Sequence, residues 1–146
     1  MTFGRKVVLE TAPVDPYSLF QGYYVRLRYR ISIPDNLPLD GKKLNYVNGK
    51  NYYLLLSPDK NKIWQPVRVV DGFPVGLTKN EVVIKGKYRY GSMEYGIEQY
   101  YLPENQRQIL GEVLREGTKV LVEVKINSKG TAAIVLIKVG GKIFQY

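Results

Sequence analysis

The residues able to do chemistry form a short set in this 146-residue chain, because it contains no histidine and no cysteine. A Ser-His-Asp triad, a thiol nucleophile, a disulfide framework and a Cys/His zinc site each need an imidazole or a thiolate, so all four are excluded. Serine with lysine, carboxylates and tyrosine remain. A Ser/Lys hydrolase is the enzyme class the composition leaves with a recognised precedent, and Ser92, in Gly91-Ser92-Met93, is the serine weighed for it through a resemblance given below. Glu94 and Glu98 share a face if 93–102 is one strand, but about 13 Å apart, since a strand advances about 3.3 Å per residue. That separation is too wide for a paired-acid mechanism, and a hairpin turn at Tyr90-Gly91-Ser92-Met93 accounts for the serine without catalysis. Asp35 and Asp40 have no calcium-loop spacing. The reading is therefore no catalytic residue, no metal and no cofactor.

Binding chemistry is better represented. The formal charge is +9, and residues 92–117, with Arg107 and Arg115 against Glu94, Glu98, Glu104, Glu112 and Glu116, carry a local −3 that leaves +12 for the remainder. Two triplets concentrate the excess, Arg26/Arg28/Arg30 and Lys85/Lys87/Arg89. On neighbouring strands they would form one anion-binding face for phosphate groups of lipid or nucleic acid. Charged side chains on a solvent face also protect a sheet from edge pairing, which explains the same pattern with no ligand. Thirteen tyrosines offer stacking surfaces or core rings. Alternation places Tyr29, Tyr88 and Tyr90 toward the core and leaves Tyr23 and Tyr53 as the surface candidates.

These residues must be carried mainly by strands. From Tyr24 to Ile33, Val25, Leu27, Tyr29, Ile31 and Ile33 alternate with arginines, and Val82–Tyr90 repeats the pattern. Further strands are expected at Lys6–Thr11, Tyr52–Ser57, Ile63–Val70, Met93–Leu102, Lys119–Asn127, Thr131–Val139 and Lys142–Gln145. Val120, Val122, Val124 and Ile126 form an inward stripe. Asn127-Ser128-Lys129-Gly130 and Val139-Gly140-Gly141-Lys142 have hairpin-turn composition. One helix is expected at about 103–116, with Ile109, Leu110, Val113 and Leu114 apolar and Gly117 at its C-terminal end. Pro34–Lys50 reads as a loop. The fold class is mainly β: one antiparallel barrel-like or sandwich-like domain over 1–146, with one inserted α-helix.

Two segments carry a family resemblance. Asp15-Pro16 followed by Gly22-Tyr23-Tyr24-Val25-Arg26-Leu27-Arg28-Tyr29 resembles the signature of the GDYXXLXY family of uncharacterised bacterial proteins, and Tyr95-Gly96-Ile97-Glu98 ahead of a helix is similar to its downstream segment. The motif positions are thus Asp15, Pro16, Gly22, Tyr24, Leu27, Tyr29, Tyr95, Gly96 and Glu98; the family's Asp after the glycine is Tyr23 here, which argues against an indispensable carboxylate. The resemblance implies no activity. It implies an N-terminal hydrophobic anchor before Arg5-Lys6-Val7-Val8, and in some members proximity to polytopic membrane proteins. Within the chain the longest apolar run, Ala132–Ile137, is far below the roughly 20 residues of a membrane-spanning helix. Gly91-Ser92-Met93 also resembles the nucleophile segment of signal peptidases, but the Gly-x-x-Val strand precedes it and no proline follows.

The expectation is a non-enzymatic interaction or scaffold module, the extracytoplasmic part of a membrane-anchored protein. Its partner would be a polytopic membrane protein or the anionic membrane surface. A cytoplasmic setting would follow if the native protein starts at Met1. Nucleic-acid binding through the Arg/Lys and Tyr faces is the alternative, without a basic recognition helix to support groove reading. A Ser/Lys peptidase is the weaker one.

Overall fold

The computed structural model describes residues 4–13, 19–38, 45–115 and 118–146. Asp15, Pro16, Tyr17, Asp40, Glu116 and Gly117 lie outside them. The strands are β1 (Arg5–Glu10), β2 (Phe20–Gln21), β3 (Tyr24–Arg26), β4 (Asn51–Pro58), β5 (Trp64–Val70), β6 (Val82–Arg89), β7 (Ser92–Glu94), β8 (Gln99–Tyr101), β9 (Val120–Ile126), β10 (Ala132–Val139) and β11 (Lys142–Phe144). The helix, α1, spans Glu104–Val113. The strands form three antiparallel sheets ordered β1-β9-β10-β11, β2-β3-β8 and β5-β4-β6-β7. The expected mainly β class is what the chain adopts, as sheets with a half-barrel curl and, among the described residues, a single α-helix.

Single backbone contacts hold the sheets together. Ala12 N–H donates to Arg28 O at 2.8 Å, beside a one-residue bridge between Thr11 and Tyr29. Lys85 N–H donates to Gly130 O at 2.9 Å, seating the β9–β10 turn against β6. The space between is filled by the apolar alternations: Val120, Val122, Val124 and Ile126 are buried, as are Val25, Leu27, Tyr29 and Ile31. Burial of such stripes is the main favourable term in folding, at roughly 25 cal/mol per Å².

Two expected strands are shorter than the alternation suggests. The ladder of β3 stops at Arg26, and Arg30–Ser32 forms a 3-10 turn that keeps Tyr29 and Ile31 buried by a different backbone path. The expected strand at 93–102 is two strands, β7 and β8, broken where Gly96 adopts φ +82. An L side chain there would be strained, so the chain turns. Tyr90 is corrected as well. It occupies the β6–β7 turn at φ 46 and is 90% exposed, whereas Tyr29 is fully buried and Tyr88 half-buried against Tyr46. Tyr53 is half-buried against Phe73 and Tyr23 is exposed.

The helix begins after Pro103 and ends at Val113, short of the expected limit, with Leu114 N–H bonded to Leu110 O. Leu110 and Leu114 enter the core and Ile109 lies outside it, exposed on the flank of the stripe. Gly111 faces the ring of Phe20, which brings α1 against the β2–β3 hairpin. Among the described residues no helix is long and apolar enough to cross a membrane.

Candidate functional site

The described motif residues meet in one place, mostly as framework, while Asp15 and Pro16 lie outside the described residues. Gly22 and Tyr23 form the two-residue turn between β2 and β3, with Gly22 at φ +60, which glycine accepts without strain. Leu27 is buried and its N–H donates to Glu98 O at 2.7 Å. The Tyr29 hydroxyl donates to Ile97 O at 2.6 Å, and the Tyr95 hydroxyl donates to Ile31 O at 2.6 Å. Burial first, then the charge of Glu98 at Tyr29 and the Tyr46 phenol followed by Glu98 at Tyr95, push both phenols well above the ordinary tyrosine range, so both remain donors. Gly86, on the core side of β6, makes room: a Cβ there would lie 2.8 Å from Met93 Cγ and from Tyr95 Cε1.

Glu98 closes this corner. Its Oε2 accepts Tyr95 N–H and its Oε1 accepts Gly96 N–H, each at 2.9 Å. Desolvation raises its pKa above the usual carboxylate value, the two backbone donors oppose that, and the charge of Glu94 adds to the rise. Glu94 and Glu98 do not lie on one strand as expected, since the strand breaks at Gly96, and both line one groove.

That groove, of about 900 Å³, is lined among others by Tyr24, Arg26, Arg28, Ser92, Glu94 and Gln99, with Glu98 and the buried Ser32. Its groups divide by whether they are already engaged. Ser92 Oγ donates to Ser32 O at 3.2 Å, and Ser32 Oγ accepts Tyr29 N–H at 3.0 Å. Glu98 holds the turn. Arg26, Arg28, Glu94 and Gln99 make no side-chain hydrogen bond or ion pair among the described residues. Gln99 and Ser32 were not expected in a site: a lone amide in a strand and a buried serine leave no pattern in a sequence.

The two basic triplets do not form a continuous face. β3 and β6 belong to different sheets. Arg26 and Arg28 wall the groove, and Arg30, on its 3-10 turn, is ion-paired with Glu10, which also pairs with Lys119 at 3.1 Å. Lys85, Lys87 and Arg89 alternate with the buried Ile84 and Gly86 along β6, the two lysines half-buried and Arg89 exposed, with Lys87 in register with Glu94 and Arg89 with Ser92.

An exposed aromatic row continues from the groove. Tyr24 meets Tyr101 edge-on with centroids 6.3 Å apart, and Tyr101 meets Tyr146 at 4.9 Å. Tyr23 lies under the Arg107 guanidinium, 5.3 Å from its carbon to the ring centroid, and the same Arg107 nitrogen donates to Tyr23 O at 3.0 Å and Leu102 O at 3.1 Å. No sequence pattern points to Arg107, since its partners are carbonyls and a ring from another element.

A family model described as GDYXXLXY protein matches residues 1–137 of the chain. No curated protein and no solved structure matches.

Proposed function

This chain belongs to the GDYXXLXY protein family, and from that premise we propose that it is a non-enzymatic interaction module. The observation that carries the reading is the division of labour in the groove. The groups with catalytic potential, Ser92 and Glu98, are engaged by Ser32 O and by the Tyr95 and Gly96 N–H groups, while Arg26 and Arg28 make no side-chain hydrogen bond or ion pair among the described residues. A nucleophilic serine needs a base within hydrogen-bond reach. No lysine is among the described residues lining the groove, which weighs against a Ser/Lys peptidase.

On this proposal the domain belongs to a membrane-anchored protein, sits outside the cytoplasm, and works against a polytopic membrane protein or the anionic membrane surface. The net charge of +9 and the β6 cations Lys85, Lys87 and Arg89 support the surface contact. Basic residues near an anionic bilayer are worth about 1 kcal/mol each and their attraction falls within a Debye length. Co-sedimentation with phosphatidylglycerol vesicles is the test. Retention at low salt that disappears at high salt, and that falls roughly 100-fold when Lys85, Lys87 and Arg89 all become Gln, supports it. Equal retention on phosphatidylcholine vesicles, or none on either, removes the anionic surface as partner. Nucleic-acid binding has less support, because Glu94 and Glu98 line the same groove as Arg26 and Arg28, and Glu94 is in register with Lys87.

A further inference from the structure

We infer that the groove beside β3 takes an uncharged oligosaccharide, with a sugar ring lying on Tyr24 and its hydroxyl groups meeting Arg26, Arg28, Glu94 and Gln99. The inference rests on reading the groove as a binding surface rather than a reaction centre. It adds the chemical class of the ligand.

Three observations converge. First, the groove's volume of about 900 Å³ falls in the range of small-ligand sites, and its lining is mixed polar and apolar. Second, the groove side chains that have no hydrogen bond or ion pair among the described residues include both kinds of hydrogen-bonding group. Arg26 and Arg28 are donors only, Glu94 is an acceptor only, and Gln99 is both. A sugar hydroxyl donates and accepts, so one chain of hydroxyls satisfies all four. A phosphodiester only accepts, and it would bring its charge against Glu94 and Glu98. The carboxylates already disfavour one another, as the upward shift of Glu98 through Glu94 indicates. Third, Tyr24 is 47% exposed, shares its outward face of β3 with Arg26, and is the groove-side end of a row continued by Tyr101 and Tyr146. Exposed contiguous aromatic surface is uncommon on a soluble domain unless something covers it. A half-exposed tyrosine ring with a polar tip suits a partner that is apolar on one face and hydroxylated at its rim.

Titration of the full chain with chitotetraose, cellotetraose and maltotetraose, followed by amide NMR and calorimetry, tests this. The expected result is saturable binding of at least one of the three, with shifts centred on Tyr24, Arg26 and Gln99. Tyr24→Ala and Arg26→Ala each weaken it at least about tenfold while the melting temperature holds, since both side chains are exposed. Phe73→Ala, which removes an exposed aromatic ring outside the groove, leaves the affinity unchanged. Absence of saturation with all three sugars, or wild-type affinity in Tyr24→Ala and Arg26→Ala, overturns the assignment. So does displacement of the sugar by an oligothymidylate, which would make the ligand a nucleic acid. Shortening of the bound sugar during the titration would support the ligand class and overturn the non-enzymatic reading, so the two failures are distinguishable.

Discussion

Tyr29 and Tyr95 hold each other's segments closed. Each buried phenol donates to a carbonyl beside the other, Tyr29 to Ile97 O and Tyr95 to Ile31 O, both at 2.6 Å. The two halves of the family signature are thereby one structural unit. A buried carbonyl that loses its donor costs about 1–3 kcal/mol. Tyr29→Phe and Tyr95→Phe are each expected to lower unfolding free energy by that amount in urea denaturation. The double variant should show a coupling of about 0.5 kcal/mol or more, because loss of one bond loosens the segment that supplies the other acceptor. Strict additivity would show that the bonds are independent.

Gly86 is the hole into which Tyr95 and Met93 fit. A Cβ at 2.8 Å from both side chains must displace one of them. Gly86→Ala is expected to cost about 1–3 kcal/mol, the usual range for overpacking a core, despite the better strand propensity of alanine. Thermal unfolding measures it; an unchanged midpoint would mean that the Tyr95 ring moves freely.

Arg107 ties α1 to the β2–β3 turn through Tyr23 O, Leu102 O and the Tyr23 ring. Arg107→Ala should lose about 1–2 kcal/mol, and Arg107→Lys should recover less than half of it, since an ammonium lacks the planar fork and stacks poorly. Tyr23→Asp, which restores the residue in the family signature, places a carboxylate beside the same guanidinium. It is expected to change stability by less than about 1 kcal/mol, because an exposed ion pair replaces a cation–π contact of similar strength. A large loss would show that the tyrosine ring has a role beyond Arg107.

Glu98 sets the pH response of this corner. Its folded pKa is raised, mainly by burial, above the ordinary 4.5 that it regains on unfolding. Its contribution to stability is therefore fully present below pH 4.5 and is lost as pH rises through the folded pKa. Stability of the wild type relative to Glu98→Gln should decline over that interval and then level off. Carboxyl NMR should place the Glu98 midpoint above that of a model glutamate; a midpoint below 4.5 would mean that the Tyr95 and Gly96 N–H groups outweigh desolvation.

Much of the fold is legible locally. Val120 to Ile126 alternates cleanly because one face of β9 is buried along its whole length, and the Gly140-Gly141 turn follows from two positive φ values, 53 and 83. The helix is readable from Leu110 and Leu114. At Tyr24–Ile33 the inference fails in part: burial alternates through Ile31 although the ladder ends at Arg26, so the pattern reports the buried face and not the hydrogen bonding. The site is less legible still. The arginines are visible, but the division of Arg30 to Glu10 and of Arg26 and Arg28 to the groove depends on strands far apart in the chain.

By itself, the sequence determined which chemistry is missing, which faces are apolar, where the turns fall and which family the chain resembles, because composition, period and glycine placement are local properties. Only the tertiary structure decided that Arg26 and the Lys85/Lys87/Arg89 triplet lie in separate sheets, with Arg28 and Arg30 on no strand. It also decided that Tyr29 and Tyr95 exchange hydrogen bonds, and that Glu94, Glu98, Arg26 and Arg28 wall one groove. Those outcomes follow from the pairing of β3 with β8 and of β6 with β7, and strand pairing is a long-range choice set by how buried faces fit one another, which no window of the sequence contains.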